Sequence, residues 1–183
     1  MWFGVEVVIP NIILLKNRSE IDQAFGAKTE AWLVGWAREN TIFILHPDFF
    51  TQESSHTNPD YFWKVLKHEY CHLFFIGATG TNLPKWLNEG LACYLAEQVK
   101  SAPSPEEALD IVSYFQKNDS RIYSIGYFWV SHLISRFGQE KVQELIKRLH
   151  PDMDEQQFAQ IFFATFNVEF SKEGLNKFLN TGE

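Results

Sequence analysis

About a quarter of the way along the chain, the apolar positions change period. Up to Phe50 they fall in short β-branched and aromatic runs at 5–9, 11–15, 31–36 and 41–45, which predict strands. Arg38-Glu39-Asn40 has turn chemistry and predicts a hairpin between the last two. Residues 19–25, with Asp22 three after Ser19 and Gly26 at the end, predict a short capped helix among the strands. Beyond Phe50 the period is helical. Asn58 and Pro59 open a helix to about Phe75, closed by Gly77 and Gly80. Further helices are predicted at 84–100, 104–117, 121–137, 139–150, 154–166 and 171–179, and the stripe Phe158, Ile161, Phe162, Phe166 reads as core packing. Strands followed by helices predict a single α+β domain over 1–183, β-rich over 1–57 and helical over 58–183.

Composition narrows the function classes. The 183 residues are 45% hydrophobic and 16% aromatic, enough for a self-sufficient core. Sixteen Lys+Arg against 23 Asp+Glu give a net charge of −7 with no basic run, which argues against nucleic acid as a partner. Cys71 and Cys93 are too few for a disulfide framework and are expected to stay reduced. Glu6, Pro10 and Asn11 break the apolar start, and no apolar run approaches the roughly 18 residues of a spanning helix. The expectation is a cytoplasmic protein with no membrane partner and no secretory leader; oligomeric state is not readable.

The chemistry concentrates at His68-Glu69-Tyr70-Cys71-His72, an HExxH sequence on the first long helix. Residues four apart lie one turn above each other, so both imidazoles reach one ion at about 2.0–2.1 Å. Glu69 is rotated towards a water on that ion, as a general base requires. Apolar neighbours such as Val65, Leu66 and Leu73 make unpartnered imidazoles costly there. After sixteen intervening residues from His72 stands Glu89, in Pro84-Lys85-Trp86-Leu87-Asn88-Glu89-Gly90-Leu91-Ala92. That interval fits a helix end, a glycine turn and one turn of a crossing helix. Two roles are open to Glu89: dipole partner near a helix start, or third metal ligand.

These two motifs, in this order, resemble the gluzincins, the zinc peptidase group that includes thermolysin and the aminopeptidase N-like enzymes. The chain is most similar to the small peptidase MA-like domains of bacteria, whose W-x-N/E-E-G-x-A matches Trp86 to Ala92. Tyr123-Ser124-Ile125-Gly126 parallels the Y-x-x-G whose tyrosine donates to the oxyanion, with Tyr127 as runner-up. The resemblance covers about 61–149. It implies a zincin-like fold, Zn2+ held by His68, His72 and Glu89, catalysis by Glu69 and Tyr123, and a peptide or protein substrate lying along an edge strand, for which 41–45 is the candidate. The expected activity is that of a zinc endopeptidase; the alternative is a catalytically silent or single-partner binding and regulatory module.

The chain also departs from these families. Where thermolysin-like enzymes carry an aspartate that braces a histidine, this chain has Cys93. Cys93 shares Glu89's helix face, so a fourth ligand in a closed structural site is the competing role. Gly35 to Asn40 matches the amine-anchoring G-x-M-E-N only loosely, and Glu39-Asn40 reads better as a turn. Cys71 is expected in the core, His132 nearly opposite Tyr123 on its helix, and His46, His56 and His150 in solvated positions, with His46 nearest the cleft.

Overall fold

The structure is a computed structural model, which describes residues 2–181. Its order is β1 (Asn11–Leu15), α1 (Arg18–Phe25), β2 (Gly35–Arg38), β3 (Thr41–Leu45), α2 (Tyr61–Thr79), α3 (Lys85–Leu95), α4 (Pro105–Leu109), α5 (Ile122–Phe137), α6 (Gln139–Lys147), α7 (Glu155–Phe166) and α8 (Lys172–Asn180). The class is α+β, as the change of period predicts, with one small sheet. Residues 5–9 form no strand, and the expected helix at 104–117 is a short α4 running into a 3-10 turn at 110–113.

The sheet order is β1-β3-β2. β2 and β3 form the predicted antiparallel hairpin, turning at Glu39, which takes φ 54°. β1 lies parallel to β3 on its other side, Ile12 beside Ile42 and Leu14 beside Ile44. The expectation that 41–45 is the edge strand is therefore corrected: β3 is central, and the edges are β1 and β2. A parallel neighbour needs a crossover, and α1 with the chain after it provides one, carrying β1 to the side of β3 that the hairpin leaves open.

Local signals set the helix ends. Asn17, not Ser19, caps α1 by accepting from Glu20 N–H, and Gly26 ends it at φ 89°. α2 runs past Gly77 to Thr79, where Gly80 at φ 70° donates its N–H to Ile76 O. Ser104 and Asp154 open α4 and α7 with reciprocal capping boxes.

Two apolar clusters flank α2. Phe62, Val65 and Leu73 pack with Ile42, Ile44 and Leu45 of the sheet and Ile21 of α1. Cys71 and Phe75 join the helical cluster built on Trp86, Trp129, Phe158 and Phe162. With neighbours on two sides, α2 is fixed in position, and its remaining stripe, with His68 and His72, faces a cleft.

Candidate metal centre

His68, Glu69 and His72 sit in the middle turns of α2, where helix geometry stacks the two imidazoles. Their ring centroids are 4.8 Å apart and nearly perpendicular at 85°. α3 crosses this face and brings in Glu89. Its Oε2 lies 3.3 Å from Nε2 of His68 and 3.6 Å from Nε2 of His72. In a tetrahedral centre with bonds of about 2.0–2.2 Å, ligand atoms stand about 3.3–3.6 Å apart, so the carboxylate oxygen lies at such a separation from each imidazole nitrogen.

Glu69 forms a looser group with the two imidazoles, its ligand atom within 4.8 Å of theirs. Glu89 is the closer carboxylate to both Nε2 atoms and has the better claim to the third position. Glu69 is 7% exposed and lines the cleft. Among the described residues no donor bonds its carboxylate, so its oxygens are left to whatever enters.

The crossing of α3 depends on two glycines. A Cβ on Gly90 would stand 2.4 Å from Gly126 O, and one on Gly126 would stand 2.5 Å from Trp86 O. Glycine at both places lets the backbones of α3 and α5 touch. Gly90 follows Glu89 and Gly126 is one turn after Tyr123, so the same contact sets both side chains. The Tyr123 ring centroid lies 6.2 Å from that of His68 and lines the cleft, whereas Tyr127 packs against Tyr94.

Behind the imidazoles, each Nδ1 has a partner. Asn88 Oδ1 lies 2.7 Å from Nδ1 of His72 and accepts its proton, which leaves the Nε2 lone pair free. For His68 the partner is Cys93, with Sγ 3.9 Å from Nδ1 and, in turn, 3.9 Å from Gln98 Oε1. Cys93 therefore meets the side of the ring away from Nε2, not the position of a fourth ligand. A thiol is a weak acceptor for that Nδ1.

Burial and charge oppose each other here. Burial pulls the His72 pKa down, but the carboxylates of Glu89 and Glu69 and the Asn88 hydrogen bond outweigh it and leave it above the ordinary histidine range. Burial pushes Glu89 up, but His72 and His68 outweigh it and leave it below the ordinary carboxylate range. The Cys93 thiol is pushed up to about 12, first by burial. Tyr123 is also raised, by burial and then by Glu89 and Glu69, so its hydroxyl keeps its proton at neutral pH.

The cleft encloses about 390 Å³. One wall is 32–37, the approach to β2 and most of that strand, whose one sheet neighbour among the described residues is β3. β2 lies close over α2, since a Cβ on Gly35 would stand 3.1 Å from Val65 Cγ1. Trp32 reaches Tyr123 edge to face at 6.3 Å. Of the loop histidines, His56 and not His46 lines the cleft; its ring stacks on Tyr61 at 4.6 Å and its Nε2 lies 3.2 Å from Trp32 O. Glu39 and Asn40 make the hairpin turn, and neither lines the cleft.

Among the described residues, no helix is long and apolar enough to cross a membrane. Comparison with protein-family profiles, with curated proteins and with solved structures gives no match.

Proposed function

We propose that the chain is a zinc-dependent peptide-bond hydrolase of gluzincin type, with a zincin-like arrangement of sheet and helices around the cleft. One observation carries this reading: Oε2 of Glu89 lies at a tetrahedral-edge distance from Nε2 of both His68 and His72. The donor set of two imidazoles and a carboxylate suits zinc, and Asn88 already holds His72 in the tautomer a metal needs.

His68, His72 and Glu89 would hold the zinc, which would supply a Lewis acid able to lower the pKa of a water from about 15.7 to about 7. Glu69, with no protein donor on its carboxylate, takes a proton from the attacking water and passes it to the leaving amine. Tyr123 donates its hydroxyl to the carbonyl oxygen as that oxygen becomes negative, an interaction worth about 3–4 kcal/mol where such donors have been removed. The free edge of β2 receives an extended peptide as an added strand, backbone bonds giving affinity and the cleft walls giving choice. Glu39 stands in the turn, away from the cleft, so no carboxylate of the hairpin holds a free amine. This favours cleavage within a chain over removal of N-terminal residues.

Elemental analysis of the purified protein is the test. About one zinc ion per chain is expected, with most of it lost in His68→Ala, His72→Ala and Glu89→Ala. Full retention in Glu89→Ala would exclude that residue as a ligand. N-acetylated and free peptides should be cleaved about equally well by the zinc-loaded protein.

A further inference from the structure

Among the described residues three lysines are half-buried: Lys64, Lys85 and Lys100. Lys64 donates to the Glu97 carbonyl. Lys85 and Lys100 have no hydrogen-bond acceptor for their ammonium groups and no carboxylate partner, and both line the cleft. The lack of partners is not for want of acids, since the chain carries 23 of them against 16 bases. A half-buried ammonium gives up part of its hydration, and with no hydrogen-bonded acceptor in the protein it has N–H groups to offer an arriving anion.

The two lysines enter the cleft from opposite ends of α3. Lys85 opens α3 one turn before Glu89, and its charge acts on Glu89 and His72. Lys100 follows α3 at the other end, its Nζ 5.6 Å from the Tyr123 ring centroid, and its charge acts on His56. The ring face steadies the Lys100 ammonium without using a lone-pair acceptor, so its N–H groups stay available. The imidazoles and Glu69 line the same cleft.

We propose that the cleft selects its substrates by a carboxylate, taken by Lys85 or Lys100 from either end of α3. The proposal rests on reading this cleft as the site where a peptide is bound and cut. Both lysines line the cleft that holds His68, Glu69 and His72, so each meets the stretch of substrate bound there. The carboxylate comes from an Asp or Glu side chain or from the peptide's free C-terminus.

Binding separates this proposal from hydrolysis. Fluorescence anisotropy is measured with labelled hexapeptides on the zinc-free protein and on zinc-loaded Glu69→Gln. The peptides carry central Glu or Gln, each with a free or amidated C-terminus. The acidic peptides are expected to bind about tenfold more tightly, the difference shrinking with added salt. Lys85→Met and Lys100→Met should together remove that preference, while Lys85→Arg and Lys100→Arg keep it. Preference for Glu over Gln identifies a side chain as the source; preference for free acid over amide identifies the C-terminus. Equal affinity for acidic and neutral peptides, failure of all four to bind, or a preference that survives the double methionine variant would overturn the proposal. Lysine-dependent binding of acidic peptides by a zinc-loaded wild type that cleaves none of them would instead sink the peptidase reading and leave this one standing.

Discussion

Asn88 decides which nitrogen of His72 is free. With Oδ1 accepting from Nδ1 at 2.7 Å, the nitrogen that gains and loses a proton is Nε2, which stands 3.6 Å from Glu89. Asn88→Ala is expected to weaken zinc binding by about 10–100-fold in a chelator competition, with Glu89 untouched. Unchanged affinity would mean the bond orients nothing. Acid acts on the same residue. Because the His72 pKa is raised in the metal-free protein, its proton competes with zinc as pH falls through that raised value, so affinity should begin to drop above pH 6.5, the ordinary histidine value. The sign follows from the charged form being the one stabilised by Glu89. Cys93 is different, because its thiol stays neutral near pH 8 when pushed up to about 12. Cys93→Ser should leave zinc content unchanged, and alkylating reagents should reach it only on unfolding. The HExxH spacing made the imidazole pair legible in the sequence, since four residues are one helical turn. The roles of Asn88 and Cys93 were not legible, because each depends on the angle at which α3 crosses α2, which no local pattern encodes.

Among the elements, α3 and α5 are joined at Gly90 and Gly126, where added Cβ atoms would fall 2.4 and 2.5 Å from backbone oxygens. The glycines of the Asn-Glu-Gly and Tyr-x-x-Gly sequences are thus two halves of one contact, and it seats Glu89 and Tyr123 on the same cleft. Gly126→Ala should force the helices apart, lowering stability by about 1–3 kcal/mol and loosening zinc binding as well. Denaturant melting with a zinc titration reads both, and an alanine that changes neither would show the contact to be slack. Tyr123→Phe should lower kcat and kcat/KM together by about 10²-fold with zinc retained, and Tyr127→Phe, whose ring packs on Tyr94, should not. Hairpin, helix order and most helix ends could be read from turn residues and periodicity. The sheet order could not. Thr41–Leu45 has the same alternation whether it is central or at an edge, and only the path of α1 puts β1 beside it and leaves β2 to border the cleft.

At the scale of the whole molecule, α2 is held between two apolar clusters, one of sheet and α1, the other of the remaining helices. That placement keeps His68, Glu69 and His72 in register while the third side stays open. Lys85 and Lys100 line this cleft beside Glu69 and Glu89, and among the described residues neither ammonium has a hydrogen-bond acceptor. The central claim is that Glu69 moves a proton during peptide hydrolysis at this site, and Glu69→Gln tests it because the amide keeps size and hydrogen-bonding reach but accepts no proton. Cleavage of a mixed peptide library by zinc-loaded wild type and Glu69→Gln, followed by mass spectrometry, should show a fall of about 10²–10⁴-fold with zinc content unchanged. Equal cleavage by the two proteins, or a wild type that holds zinc and cleaves nothing, would contradict it.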